Sequence, residues 1–182
     1  MAERPADGPA EPGRVRARQL PYVDPHKRRS RFYFALARLS ATKFGAWFST
    51  NVSWKLDPFL LKLSGGRLST AGPLAVGLLE SRGARTDLPR RNATLYFNDG
   101  DRVTIIASKR GLPENPAWYY NVRANPDIVY GGVPFRAELV EDEAERQRLW
   151  ALGDLVFPEY AGYRERAGKA GRVIPIFQLL PR

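Results

Sequence analysis

The sequence contains no cysteine and a single histidine. The first absence excludes disulfides, thiolate catalysis, iron–sulfur clusters and zinc–thiolate sites. The second argues against a Ser-His-Asp triad, a His-rich metal centre and a haem held by a core histidine. His26 lies among Asp24, Pro25, Lys27, Arg28 and Arg29, in a stretch with little apolar content. No metal ligand is therefore nominated. No uncharged apolar run approaches the roughly 20 residues needed to cross a bilayer. The front of the chain also lacks the apolar core of a secretory leader, so the expected location is cytoplasmic, with contact at the inner face of the membrane left open. The chemistry must come from hydroxyls, carboxylates, cations or a borrowed cofactor.

What is present suits one well-buried domain. The 182 residues are 43% hydrophobic and 12% aromatic, which supports a real core. The net charge of +10 is unevenly placed. Residues 1–70 hold 13 Lys/Arg against 5 Asp/Glu, whereas residues 71–182 hold 16 against 14. A nucleic-acid-binding domain carries its excess on the folded part, so no nucleic-acid partner is expected. A basic front can simply be solvated, or it can rest on anionic lipid.

Residues 1–30, rich in Pro, Ala, Gly and scattered Arg, read as a disordered basic tail. Residues 31–70 read as a helical extension. Phe32, Leu36, Leu39 and Lys43 fall at helical spacing between Arg31 and Phe48. A second helix over Trp54–Leu63 should be entered at Asp57-Pro58 and end at Gly65-Gly66. Phe32, Phe34, Phe44, Trp47, Phe48 and Trp54 would insert shallowly in lipid headgroups if they face outward, or cover the body if they face inward.

After Pro73 the texture changes. Leu74–Ser81, Arg91–Phe97, Arg102–Ser108, Asp127–Tyr130, Val133–Val140 and Val173–Leu180 read as strands. Asn98-Asp99-Gly100 and Gly131-Gly132 join neighbouring strands as hairpins. Helices are expected from Asn115-Pro116 to about Ala124, with Asn115 as cap, and from Glu141-Asp142-Glu143 to about Phe157. Hairpins without βαβ repeats predict an antiparallel sheet or small barrel with edge helices.

The loop 82–91 supplies Arg82, Arg85, Arg90 and Arg91 with a Gly and a Thr hydroxyl, a composition suited to anions. Ala107-Ser108-Lys109-Arg110-Gly111 is a second basic loop. Trp118, by spacing alone, is a core aromatic on a short helix.

Taken in order, Leu79-Glu80-Ser81-Arg82-Gly83-Ala84-Arg85-Thr86, Leu95-Tyr96-Phe97, Ala107-Ser108-Lys109, Asn115–Tyr119 with Asn121, Ala124-Asn125-Pro126, Phe157–Tyr163 and Arg172–Ile176 resemble the deazaflavin-dependent nitroreductase-like and quinone reductases of actinobacteria. The resemblance covers about residues 72–182. It implies an α+β split β-barrel over 71–182, of the kind that binds flavin, and reduced coenzyme F420 as hydride donor to a quinone, enone or nitro compound. By resemblance, Arg85, Thr86, Arg90 and Lys109 match positions that hold the anionic tail and phosphate. Tyr96, Ala107, Ser108, Trp118 and Asn121 match positions lining the ring. Tyr160 and Tyr163 match aromatics over the acceptor pocket, and with Ser108 they are the candidate proton donors. The chain departs from the pattern at Ala84 and Asp87, with Arg82 and Arg91 the neighbouring cations that could compensate. The alternatives are a flavin mononucleotide enzyme of the same superfamily, or a non-enzymatic basic protein binding lipid or nucleic acid. Relatives include homodimers.

Overall fold

The computed structural model describes residues 20–64 and 68–182, with the backbone alone at Ser40, Ala41, Lys43, Ala46, Ser49, Thr50 and Trp54. Residues 1–19 of the expected tail, the Gly65-Gly66 stop and the Trp54 ring lie outside the described residues. Six strands form the body: β1 (Val76–Arg82), β2 (Pro89–Asp99), β3 (Arg102–Ile106), β4 (Asp127–Tyr130), β5 (Val133–Leu139) and β6 (Ile176–Pro181). They close an antiparallel barrel in the order β1-β2-β3-β6-β5-β4. This is the barrel architecture expected from the sequence, within an α+β chain.

Period-two patterning explains the barrel's two cores. Tyr96, Ile105 and Phe177 point into an inner cluster with Leu79, Ile128 and Tyr130. Their chain neighbours Phe97, Ile106 and Ile176 feed an outer cluster with Leu149, Trp150, Phe157, Tyr160 and Tyr163. Closure rests on the short β1–β4 pairing, Leu79 opposite Tyr130 and Glu80 opposite Val129. Tyr130 is wedged there: its hydroxyl donates to the Thr94 carbonyl at 2.9 Å and accepts from the Thr94 hydroxyl at 3.0 Å. Gly77 is required beside it, since a Cβ would fall 2.5 Å from the ring.

Four helical elements flank the barrel's outer cluster: α1 (Arg31–Ala41), α2 (Lys43–Phe48), α5 (Glu143–Val156) and α6 (Tyr160–Lys169). Ser30 caps α1 through the Tyr33 N–H, and Asp142 caps α5 through the Glu145 N–H. The expected single stretch to Phe48 breaks at Thr42, whose N–H and hydroxyl both donate to the Leu39 carbonyl. After a π-helical turn, Ser49–Ser53, α3 runs Trp54–Ser64. It does not begin at Asp57-Pro58 as expected, because Pro58 lies inside the helix. The Asp57 carboxylate instead accepts from the Thr70 N–H at 2.6 Å. Helix α4 (Ala117–Ala124) also starts without the expected side-chain cap, as Asn115 Oδ1 is taken by Arg172.

Residues 20–30 differ from the disordered tail expected of them. Val23 and Asn98 exchange hydrogen bonds, 2.9 Å from the Val23 N–H to Asn98 Oδ1 and 2.9 Å from the Asn98 N–H to the Val23 carbonyl. Leu20 packs on Gly131, where a Cβ would meet it at 2.3 Å. A tail composition is overridden here by partners far along the chain. Tyr33 then fastens α1 to the body, its hydroxyl donating to the Val156 carbonyl at 2.9 Å.

Candidate active site

After β3 the backbone tightens through Ser108 into the turn Lys109–Gly111, with positive φ at Lys109 (43°), Arg110 (58°) and Gly111 (76°). Such angles are costly for side-chain-bearing residues unless the surroundings over-determine them. Two features do so. Gly111 lies flat on the backbone of Tyr163, where a Cβ would come within 2.4 Å of the carbonyl oxygen. Arg172 spans the whole turn: it donates to the carbonyls of Ser108 (3.1 Å), Leu112 (2.6 Å) and Ala107, and to Asn115 Oδ1 (2.8 Å). Its half-buried guanidinium thus meets neutral acceptors, and burial pulls its pKa below the usual arginine value. Arg166 adds two 3.2 Å bonds to the Arg110 carbonyl.

This turn forms one wall of a cavity of about 490 Å³. Ser108, Lys109, Arg110, Trp118, Tyr160 and Tyr163 line the barrel side. Leu36, Leu39, Phe44, Phe48, Ser53 and Asp57 line the opposite side, from the helical segment. Five of the residues nominated from sequence therefore meet in one space: Ser108, Lys109, Trp118, Tyr160 and Tyr163. Arg110, Arg172 and the helical wall were not nominated. Their roles depend on contacts over 50 residues apart, which spacing does not carry.

The other nominated residues fall elsewhere. Tyr96 points into the inner core, not the cavity; its hydroxyl donates to the Pro21 carbonyl at 2.8 Å, and burial pushes its pKa up to about 12. Strand alternation explains this, since the neighbouring Leu95 and Ala93 line the cavity instead. Ala107 is fully buried, with its carbonyl held by Arg172. Asn121 does not line the cavity: its Oδ1 accepts from the Ala84 N–H at 3.0 Å, pinning the arginine loop to α4. Trp118 and Asn121 are three residues apart and share a helix face, so α4 ties that loop to the cavity.

Within the loop, Arg82 and Asp87 form a bidentate pair at 2.6 and 2.5 Å. The departure at Asp87 is thereby neutralised, and Arg82 is spent in doing so. Arg91 is likewise paired with Glu80 at 2.7 Å. Arg90 approaches the Thr86 hydroxyl at 3.4 Å. Arg85 is exposed and makes no hydrogen bond or ion pair among the described residues. Lys109 reaches Glu114 at 2.9 Å.

The two tyrosines differ electrostatically. Both have raised pKa values, chiefly from burial. Tyr160 has only anionic and phenolic neighbours, which raise it further. Tyr163 has Arg110 and Arg166 pulling it back down, and the Arg166 guanidinium lies 5.0 Å from its ring centroid. Of the two, Tyr163 is built to lose a proton more readily.

These residues can be set beside known proteins. A Mycobacterium tuberculosis F420H(2)-dependent quinone reductase is 36% identical over 111 residues, 58% of this chain and 72% of the relative. A solved domain-swapped dimer shares 30% identity at a TM-score of 0.50, covering 57% of this chain and 78% of its own. A solved F420-H2 dependent reductase has 30% identity and a TM-score of 0.49, over 57% of this chain and 92% of its own. The family model for F420H(2)-dependent quinone reductases matches residues 61–181, a span that takes in the barrel, both basic loops and the two tyrosines. The chain belongs to the F420H(2)-dependent quinone reductase family.

Proposed function

We propose that this protein reduces a quinone-like acceptor with hydride from reduced coenzyme F420, using Tyr163 as proton donor. The observation that carries the reading is the convergence of Ser108, Lys109, Trp118, Tyr160 and Tyr163 on one cavity. The donor set suits the coenzyme, which carries a phosphate and a carboxylate-bearing tail. Arg85, Thr86 and Arg90 would hold the tail, Lys109 the phosphate, and Ser108 and Trp118 would border the ring. When bound, the coenzyme supplies the hydride.

The chain's own residues do the rest. Asn121 and Arg172 hold the two basic loops in place. Phe157, Leu74 and Ile106 exclude water from the cavity wall. An acceptor oxygen gains negative charge as hydride arrives, and the Tyr163 Oη–H delivers a proton to it. Arg110 and Arg166 stabilise the phenolate left behind. Anaerobic titration of the purified protein should show F420 fluorescence changing at lower concentration than flavin mononucleotide, and F420H2 oxidation on adding a neutral naphthoquinone. Equal or reversed cofactor preference would overturn the reading.

A second reading, of location, has its own observation. Phe32, Phe44, Trp47, Phe59 and Leu63 are all more than half exposed on the helical segment, interspersed with exposed Arg31, Arg38 and Lys62. Such a surface suits shallow docking on an anionic leaflet. Phe34 by contrast packs on the outer core, while Phe44 and Phe48 also line the cavity, so Phe32, Trp47, Phe59 and Leu63 carry the docking face. No described helix is long and apolar enough to cross a membrane. Co-sedimentation with phosphatidylglycerol vesicles, stronger at low salt, would support docking; its absence at low salt would remove it. A homodimer is the other partner we propose, supported by the domain-swapped relative and checked by light scattering.

A further inference from the structure

We infer that Asp57 is a specificity-determining residue that sorts acceptors by charge and sets their orientation; this rests on the cavity being the acceptor site. The cavity's two walls have opposite character. Its barrel side presents Lys109 and Arg110, while its helical side presents the Asp57 carboxylate among Leu36, Leu39, Phe44 and Phe48. Asp57 is 5% exposed. Its Oδ1 accepts from the Thr70 N–H at 2.6 Å, and its Oδ2 lies 3.1 Å from the Thr70 hydroxyl. No cation pairs with it among the described residues, and each oxygen keeps a further acceptor site.

Two consequences follow. A buried carboxylate disfavours an anionic acceptor and favours a neutral or cationic one, because charges within a low-dielectric wall are poorly screened. It also turns the acceptor so that the oxygen gaining negative charge faces Tyr163 and Arg110, away from Asp57. The family match begins at residue 61, whereas Leu36, Leu39, Phe44, Phe48 and Asp57 precede it. These wall residues therefore lie ahead of the span that the family model matches.

The test compares equilibrium binding of 2-methyl-1,4-naphthoquinone and 1,4-naphthoquinone-2-sulfonate to the full chain, read by tryptophan quenching. Asp57→Asn keeps the acceptor for the Thr70 N–H but removes the charge. It should shift the affinity ratio roughly 10-fold toward the sulfonate. Leu39→Lys places a cation on the same wall at a position 52% exposed, where folding tolerates it, and should shift the ratio the same way. A ratio unmoved in Asp57→Asn overturns the inference, the more clearly where Leu39→Lys moves it and so shows that the quinones bind beside this wall. Because the readout is quinone binding, it is separate from the proposed function itself, whose failure would appear as no F420 binding and no turnover.

Discussion

Single side chains decide the proton chemistry. As the proposed general acid, Tyr163 would work in its protonated form, and burial raises its pKa. Turnover should therefore be flat through neutral pH and fall only on the alkaline side. Tyr163→Phe should lower turnover by about 10²-fold, while Tyr160→Phe is nearly silent and Tyr160→Ala raises KM. Arg166 holds the Tyr163 pKa down, so Arg166→Gln should move the alkaline limb of the kcat profile to higher pH. A limb that stays put would shift the proton to Ser108 or to water. None of this distinction is visible in the motif containing the two tyrosines. It depends on Arg110, some 50 residues earlier, being folded against α6.

In the proposed reading, loops and helices set the grip on the cofactor. Arg85 is the exposed cation of the 83–88 turn, and Arg85→Ala should weaken cofactor binding roughly 10- to 150-fold while leaving kcat of the saturated enzyme nearly unchanged. Asn121→Ala should loosen the same loop from α4 and weaken affinity in the same direction, without touching the cavity. Arg172 acts on the other loop. Arg172→Gln removes several of its hydrogen bonds and leaves the Ala107 carbonyl without its partner, costing about 1–3 kcal/mol for that group. Its readout is lower cofactor affinity with partial rescue by added guanidinium, whereas a merely destabilised barrel would not be rescued. The strands were legible beforehand because alternation of Val, Ile, Leu and aromatics is a local signal. The α3 start was not, because the Asp57-Pro58 pair mimics a helix entrance while its carboxylate answers to Thr70.

At the scale of the molecule, the front of the chain is partly structural. Removing residues 1–30 takes away the Leu20 contact, the Val23–Asn98 pair and the Pro21 acceptor of Tyr96. That loss should cost about 2–4 kcal/mol, which is roughly 5–12 °C in Tm for a chain of this length. Calorimetry of the truncated and full chains measures it directly; an unchanged Tm would return these residues to a solvated tail. The exposed aromatics on the helical segment are independent of this contact, so vesicle binding and thermal stability should respond to different truncations.

The barrel, its hairpins and the residue types lining the cavity were legible in the chain alone, because period-two patterning, turn glycines and basic loops are local properties of the chain. The sequence also determined which chemistry was absent, since no fold can supply a missing thiol. Which nominated residues meet was settled by the packing of distant segments. Tyr96 and Leu95 are adjacent in sequence, yet strand geometry sends the first inward to Pro21 and the second to the cavity. Asp57 and Ser108 are 51 residues apart, and only the packing of the helical segment over the barrel makes them walls of one space.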